Sequence, residues 1–188
     1  MNYCSNCGSD EIEQKIPDGD NRLRHCCPKC DAIFYENPKI VAGCIAHWGN
    51  KILMCKRAIE PRLGTWTLPA GFMENHETIQ EAAARETFEE ATARASNLEL
   101  FAIYNLPHIS QVYIMFKGEI EDGKASSGIE SLQTEFVDEE NIPWGELSFP
   151  IIKETLELYF ADRKKGEFTL HTGEIRMMPD RSIRIEHY

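Results

Sequence analysis

A chain of 188 residues has room for one well-buried domain and a small appendage. Its formal net charge of −11 and pI near 5.0 argue against a protein that binds the phosphate backbone of nucleic acid. Binding of an anionic substrate would therefore require a bound cation. No apolar run approaches the roughly 18 residues of a membrane span and no secretion leader stands at the start, so we expect no membrane partner and a cytoplasmic location.

Two Cys-x-x-Cys pairs stand near the start of the chain, Cys4 with Cys7 and Cys27 with Cys30. Paired spacing of this kind predicts a Zn²⁺ ion held by four thiolates, and the alternative is a set of free buried cysteines. Four thiolates leave no open position on zinc, so the site is expected to be structural. Cys26 is an alternative to Cys27, but only Cys27 keeps the two-residue spacing of the second pair.

A second domain is expected to begin after the junction at Asn37-Pro38, which favours an extended or turn conformation. Apolar, β-rich runs at residues 40–46 and 51–56 flank a turn sequence at residues 48–50, and this pattern predicts a hairpin. Residues 66–68 are expected to form a short extended piece that leads into a tight glycine loop.

A helix is predicted to begin at Thr78, because Thr78 and Glu81 form a capping box and alanines follow. At about 100° per residue, one side of this helix carries small and apolar residues and is expected to face the core. The residues on that side are Ala84, Phe88, Ala91 and Ala95.

The opposite side of the helix carries Glu86, Glu89 and Glu90 at i, i+3 and i+4 spacing. A solvated acidic face is the alternative interpretation, since helices often carry one.

Two details favour a metal site. An i, i+4 ladder, in which arginine can orient carboxylates, is made of Glu77, Glu81, Arg85 and Glu89. Upstream, Gly71 lets backbone carbonyls approach a ligand closely, and oxygen ligands suit Mg²⁺ or Mn²⁺. The predicted ligands are therefore Gly71, Glu86, Glu89 and Glu90.

After this helix the pattern predicts two strands, a polar loop, a third strand, a turn with a short helix, and a longer helix. In chain order these cover residues 98–106, 111–120, 119–128, 135–137, 138–144 and 151–163. In the tail, alternating apolar residues at 168–170 and 183–185 predict two late strands that either close an edge of the sheet or pair with another subunit. The fold class is α/β, with a mixed sheet between helices.

The sequence from Gly71 to Ala93 resembles the signature box of the Nudix hydrolases. The residues that match its glycine and charged positions are Gly71, Glu77, Arg85, Glu86, Glu89 and Glu90. Three positions depart from the box, with Thr87 and Ala93 in place of aliphatic residues and Thr92 in place of its second glycine. A β-branched residue is costly in the left-handed conformation that this glycine normally adopts, so we expect the helix to continue toward Asn97, which would take that role.

The resemblance implies a Nudix α/β/α sandwich at residues 37–165, preceded by a zinc ribbon at residues 1–36 and followed by a tail at residues 166–188. It implies Mg²⁺- or Mn²⁺-dependent hydrolysis of a diphosphate. The implied catalytic residues are Arg85, Glu86, Glu89, Glu90 and Glu130. Arg85 is expected to orient the carboxylates, and the base is either Glu86 or Glu130; an ordinary loop carboxylate is the alternative interpretation of Glu130. The resemblance also implies a homodimer.

Over nearly its full length the chain is similar to the chloroplast FAD and ADP-ribose pyrophosphatases and their bacterial relatives, through stretches such as residues 36–39 and 64–71. The implied products are AMP with FMN or ribose 5-phosphate. Stacking aromatics and a polar residue are the candidates for substrate binding, although the aromatics also suit a core. These candidates are Trp66, Tyr104, Gln111 and Tyr113.

Three other functions stay open. Zinc-ribbon NADH pyrophosphatases carry a Ser-Gln-Pro-Trp-Pro-Phe-Pro signature, whereas this chain has Tyr-Asn-Leu-Pro-His at residues 104–108. A non-catalytic nucleotide-metabolite sensor of the same fold would tolerate loss of the box carboxylates, and all of them are present. An enzyme acting on capped RNA would need a basic groove, for which the basic residues of the ribbon are too few. Those residues are Lys15, Arg22, Arg24 and Lys29.

Overall fold

The computed structural model describes residues 1–188, and the chain separates into one unit at residues 1–37 and another at residues 38–188. The first unit contains an antiparallel sheet of three very short strands, β1 (Glu13–Lys15), β2 (Arg24–Cys26) and β3 (Ile33–Phe34). Its larger apolar side chains point to solvent, with Ile16 and Leu23 56% and 64% exposed. So small a unit without an apolar core requires another source of stability, such as a metal ion.

The second unit is built on one mixed sheet of nine strands. In chain order these are β4 (Lys39–Trp48), β5 (Lys51–Arg57), β6 (Trp66–Thr67), β7 (Ala70–Phe72), β8 (Ala95–Leu106), β9 (Gln111–Ile120), β10 (Ser131–Val137), β11 (His171–Met177) and β12 (Ile183–His187). The main path runs β10-β5-β4-β9-β8-β11-β12, with β6 paired to β5 and β7 to β4. The pairs β4–β9 and β8–β11 are parallel and the others antiparallel.

Two helices, α1 (Ile79–Ala91) and α2 (Pro150–Lys165), cover opposite faces of this sheet, and three short 3₁₀ turns lie at Pro107–Ile109, Glu139–Asn141 and Trp144–Glu146. Strand β4 is buried on both faces: Val41 and Ile45 pack into the cluster that contains α2 residues, whereas Ala42 and Ala46 pack into the clusters that contain α1 residues. The predicted α/β/α sandwich is therefore confirmed. No helix is both long and apolar enough to cross a bilayer.

Helix α1 begins as predicted but ends earlier. Thr78 caps it through a complete capping box with Glu81. The helix stops at Ala91, and Thr92 itself takes the left-handed conformation with φ 47° and ψ 20°. The expectation that the helix continues toward Asn97 is wrong; Asn97 has φ 50° but lies within β8.

The buried face of α1 also differs from the prediction. Phe88 is 44% exposed, and the Arg94 guanidinium lies 5.0 Å from the centre of its ring. Thr87 is fully buried and its hydroxyl donates to the Ala83 carbonyl at 2.8 Å. This satisfied hydroxyl explains how a threonine fits where the resemblance implies an aliphatic residue. The residues of α1 that are buried are Ala82, Ala83, Thr87, Glu90 and Ala91.

The C-terminal tail closes one edge of the sheet. Strand β11 pairs in parallel with β8, and β12 pairs antiparallel with β11. The first tail strand begins at His171, just after the predicted Phe168 to Leu170 segment, because Phe168 packs edge-on against Phe101 at 6.3 Å and near Tyr159 at 5.3 Å instead of pairing.

Asp162 of α2, which is 2% exposed, links the helix to the tail through polar contacts of its carboxylate. Its carboxylate accepts from the Thr169 amide at 3.1 Å and lies 2.8 Å from Nε2 of His171. Burial opposes ionisation, but the Thr169 and His171 contacts outweigh it and hold the pKa of Asp162 below its usual value of 3.8. A carboxyl group with a depressed pKa stabilises the fold above its unfolded pKa, and this contribution is lost as the pH falls through the folded value.

We expect Asp162→Asn to lower the free energy of unfolding by about 1–3 kcal/mol near neutral pH, because buried donors lose a charged acceptor. The deficit relative to wild type should shrink at about pH 3, where wild type begins to lose the same contribution. Denaturant unfolding at the two pH values measures both. Glu157→Gln is the matched control, since that carboxylate is 52% exposed, 3.7 Å from Lys153 on the same helix, and should have little effect. A deficit that does not change with pH would contradict the charge-based explanation.

Candidate functional site

Helix α1 presents its three clustered glutamates with graded burial. Glu90 is 7% exposed and Glu86 is partly buried, whereas the Glu89 side chain is 56% exposed. One oxygen of Glu90 accepts weakly from the Ala70 amide at 3.3 Å, which brings the helix against the glycine loop. The i, i+3, i+4 spacing therefore produces a row of carboxylates that runs from solvent into the protein.

Arg85 organises this row with all three of its guanidinium nitrogens. Nε and one terminal nitrogen donate to Glu77 at 3.0 and 2.8 Å, and the other terminal nitrogen donates to Glu86 at 2.6 Å and to Glu89 at 2.9 Å. The guanidinium also donates to the Phe72 carbonyl at 3.0 Å. The predicted ladder is thus present, except that Glu81 is engaged in capping the helix. A rigid fork of this kind orients carboxylates in a way that lysine would not.

Glu90 has no cationic partner at ion-pair distance, in contrast to Glu77, Glu86 and Glu89. Burial raises the pKa of Glu90 to about 8, and the charges of Glu86 and Glu130 add to this effect, opposed by the Ala70 amide and Arg57. Burial also raises the pKa of Glu86, although Arg85 works in the other direction. Buried carboxylates that are short of positive charge are typical of functional sites.

Gly71 lies directly against the carboxylate of Glu86. A Cβ atom at this position would come within 2.3–2.4 Å of the carboxylate carbon and both of its oxygens. Only glycine leaves room for Glu86 to rest on the backbone of β7, which pairs with β4 through Gly71 and Ala42. A side chain at position 71 would therefore displace the Glu86 carboxylate from this position.

Glu130 approaches the same carboxylates from the loop before β10. It is exposed, and its negative charge contributes to the raised pKa of both Glu86 and Glu90. Its carbonyl accepts from the Ala58 amide at 2.8 Å, which fixes the backbone at that point. The structure thus places Glu130 near enough for its charge to act on Glu86 and Glu90.

The helix carboxylates match a divalent cation by their chemistry, whereas the ligand atoms that converge within 4.8 Å of one another are the four cysteine sulfurs of the first unit. Glu90 is a buried carboxylate without an ion-pair partner, and hard carboxylate oxygens are the ligands that Mg²⁺ and Mn²⁺ prefer. The residues predicted to hold it are Glu86, Glu89 and Glu90, with the Gly71 carbonyl as a fourth expected ligand.

Arg57 is a residue of this site that sequence reasoning missed. Its positive charge opposes the raised pKa of both Glu90 and Tyr113, its Nε donates to the Pro61 carbonyl at 2.9 Å, and its guanidinium lies 5.4 Å over the Phe149 ring. It stands at the end of β5 and belongs to no motif. The sequence feature that could have identified Arg57 is its position at the end of a strand, two residues after the buried Cys55 and beside the glycine loop.

The predicted substrate-binding residues do not all reach a surface. Tyr104 has no exposed area and its hydroxyl lies 3.0 Å from Nδ1 of His187, so it belongs to the core and offers no face for stacking. Trp66 and Tyr113 also belong to the core cluster, although each keeps 9% of its surface exposed. Gln111 is partly buried at the start of β9. The prediction for Tyr104 is therefore wrong, because burial removes it from any ligand.

In the first unit the sulfur atoms of Cys4, Cys7, Cys27 and Cys30 all lie within 4.8 Å of one another. The cross-pairs Cys4–Cys30 and Cys7–Cys27 are each 3.6 Å apart. Cys26 is outside this group and its thiol faces the Arg24 carbonyl at 3.7 Å. The choice of Cys27 over Cys26 is thus confirmed, and four converging thiolates are the ligand set of a structural zinc ion.

Comparison with known proteins gives a consistent assignment for both units. The model of the NUDIX domain family matches residues 37–152, and a second family model, the Nudix N-terminal zinc ribbon, matches residues 2–36. A crystal structure of a NUDIX hydrolase from Nitrosomonas europaea shares 50% sequence identity and superposes with a TM-score of 0.90, covering 94% of this chain and 99% of that one.

Two curated relatives differ in the activity that they are named for. An ADP-ribose pyrophosphatase of Methanocaldococcus jannaschii is 32% identical over 116 residues, which are 58% of this chain and 68% of the relative. An NAD-capped RNA hydrolase NudC of Haemophilus influenzae is 30% identical over 172 residues, or 86% of this chain. The match spans only 62% of the length of the Haemophilus protein.

Proposed function

Because the chain belongs to the Nudix hydrolase family and carries the family's N-terminal zinc ribbon, we propose that it hydrolyses the diphosphate of a nucleoside diphosphate joined to a second group. ADP-ribose and FAD are the proposed substrates, and AMP with ribose 5-phosphate or FMN the products. The observation that carries this proposal is the row of Glu86, Glu89 and Glu90, in which Arg85 orients the first two and the charge of Glu130 acts on the third.

In the proposed mechanism, Glu86, Glu89 and Glu90 would hold Mg²⁺ or Mn²⁺, and the Gly71 carbonyl would be a further ligand. When bound, divalent cations screen the charge of the diphosphate and lower the pKa of a coordinated water. Arg85 keeps the carboxylates at fixed separation, which is a positioning role.

Glu130 is the proposed general base, because it is the solvent-exposed carboxylate beside the buried pair and does not contact Arg85. Glu86 is the second candidate for the general base. Its carboxylate accepts a hydrogen bond from Arg85 at 2.6 Å, which favours the charged form. The charged form suits binding of a cation better than it suits proton transfer. Arg57 is proposed to contact a phosphate oxygen of the substrate, since a fixed guanidinium near the carboxylates offsets charge on the diphosphate.

The name of the Methanocaldococcus relative and the similarity to chloroplast FAD and ADP-ribose pyrophosphatases support the proposed substrates. A second candidate is an NAD(H) or NAD-capped RNA diphosphate, which the Haemophilus relative supports because its match includes most of the chain. The missing Ser-Gln-Pro-Trp-Pro-Phe-Pro signature weighs against it. A non-catalytic sensor is disfavoured, because every box carboxylate is present and Arg85 holds Glu86 and Glu89 in order. A homodimer and a cytoplasmic location stay predictions.

A substrate panel tests the proposal with the full chain. Zinc-loaded protein, with other metals removed by buffer exchange, is assayed with and without added Mg²⁺ or Mn²⁺ on ADP-ribose, FAD, NADH, an NAD-capped RNA and a diadenosine polyphosphate. The proposal predicts AMP release from ADP-ribose or FAD, dependent on the added cation. A preference for NADH or capped RNA would overturn the substrate assignment and keep the reaction class. Absence of cation-dependent hydrolysis on every substrate would overturn both.

A further inference from the structure

The end of helix α1 is closed by the loop that leads to Glu130. The last carbonyls of a helix lack partners within the helix. Here the Ser126 amide donates to the Ala91 carbonyl at 2.8 Å, and the Gly128 amide donates to the Glu90 carbonyl at 2.9 Å. The loop therefore attaches to the same turn of helix that carries the metal-binding carboxylates.

Thr92 adds a side-chain link to this attachment. Its hydroxyl can donate to the Ser126 carbonyl at 2.9 Å or to the Ala91 carbonyl at 2.8 Å, and it also contacts the Ser126 hydroxyl, which can donate to it in the second case. Thr92 holds a left-handed conformation with φ 47°, which is unfavourable for a β-branched residue and in which glycine would be relaxed. The chain thus has a strained threonine at a position where glycine would be less strained. Glycine could not supply the hydroxyl group that contacts Ser126.

Gly128 allows the close approach that this attachment needs. A Cβ atom on Gly128 would lie 1.7 Å from the Glu89 carbonyl oxygen and 2.8 Å from its carbon. These are backbone atoms of the helix and cannot move aside independently. We call Thr92, Ser126 and Gly128 together the helix–loop clasp.

The far end of the loop is fixed as well. The Glu130 carbonyl accepts from the Ala58 amide at 2.8 Å, and the Ser131 amide donates to the Gly128 carbonyl at 3.2 Å. Glu130 therefore stands between the clasp on α1 and the end of β5, two residues beyond Gly128. This leaves its backbone little freedom, although its side chain is exposed.

We infer that the helix–loop clasp positions Glu130 against Glu86 and Glu90, and that Thr92 is a positioning residue for catalysis. The inference rests on the proposed function, since it presumes that Glu130 acts in the hydrolysis. It also explains the threonine at the second glycine position of the motif, because the hydroxyl of Thr92 holds the loop in register with the carboxylates.

Thr92→Gly, Thr92→Val and Thr92→Ser test the clasp in the full chain. Thr92→Gly relieves the strained backbone and removes the hydroxyl, so the melting temperature should stay close to that of wild type while kcat falls about 10-fold or more. Thr92→Val removes only the hydroxyl and should lose kcat similarly, whereas Thr92→Ser restores it and should rescue kcat. KM should change little in each case. Ser127→Ala, in the same loop but outside the clasp, is the matched control.

A double-mutant cycle separates positioning from general damage. If Thr92 acts through Glu130, adding Thr92→Gly to Glu130→Gln should lower kcat no further. Amide hydrogen exchange gives a readout that does not need activity: protection of the Ser126 and Gly128 amides should fall in Thr92→Gly and return in Thr92→Ser.

The outcomes are distinguishable. An active wild type whose Thr92→Gly variant keeps full kcat would overturn the positioning role alone, and so would additive losses in the cycle. A wild type inactive on every substrate would overturn the proposed function, and with it any catalytic purpose of the clasp, even if the exchange data showed the clasp to be formed.

Discussion

Glu90→Gln is expected to reduce cation-dependent hydrolysis by more than about 100-fold, because removing a metal-binding carboxylate should cost more than the roughly 10–100-fold lost with an outer-shell partner. Glu90 is the most buried of the three glutamates at 7% exposure and the one that Arg85 does not contact. Steady-state rates across a Mg²⁺ titration measure the effect, which should include a weaker response to the cation.

The same substitution should act on stability in the opposite direction. Burial raises the pKa of Glu90 to about 8 from an ordinary value of 4.5. Between these two values Glu90 ionises in the unfolded chain but stays protonated in the fold, so without cation the stability of the fold falls as the pH rises from 4.5 toward 8. Glutamine removes that cost, and the metal-free variant should melt at a higher temperature than wild type near neutral pH.

Glu99→Gln is the matched control, since Glu99 is 66% exposed on β8 and its ion pair with Lys117 lies outside the proposed site. It should leave both activity and melting temperature nearly unchanged. Loss of activity in Glu90→Gln accompanied by an equal loss of stability would point to a structural role for Glu90 and against the metal site.

The features predicted correctly from the sequence are those set by local chemistry. The capping box fixes the start of α1 at Thr78, and the i, i+3, i+4 spacing fixes the row of carboxylates. Paired cysteine spacing was enough to choose Cys27 over Cys26. Each of these depends on residues a few positions apart, where backbone geometry alone decides which side chains meet.

The failures occur where distant segments decide the outcome. Helix α1 ends at Ala91 because Ser126 and Gly128, far along the chain, satisfy its last carbonyls. Tyr104 was expected to stack on a ligand, but the parallel pairing of β11 with β8 and the antiparallel pairing of β12 with β11 cover it. The alternation of apolar residues predicted the tail strands but not the strands that they pair with. A period of two residues shows which side chains share a face of a strand, and it does not identify the neighbouring strand.

Substitution of Cys27 by serine is expected to abolish zinc binding and to unfold residues 1–37. This unit has strands of two or three residues and exposed apolar side chains, so it lacks a core that could replace the metal. Structural zinc in such small units contributes about 10–16 kcal/mol of apparent binding free energy near neutral pH, and that energy is folding energy. Zinc content and amide exchange across residues 1–37 measure the loss.

Cys26→Ser is the discriminating control, because the two cysteines are adjacent and both are buried, at 3% and 1% exposure, yet only the Cys27 sulfur lies in the converging group. It should keep a full complement of zinc with at most a modest loss of stability, since its thiol faces a carbonyl at 3.7 Å and not the other sulfurs. If Cys27→Ser kept zinc while Cys26→Ser lost it, the ligand set would be wrong. If both kept zinc and the unit stayed folded, its stability would have to come from contacts other than the four thiolates.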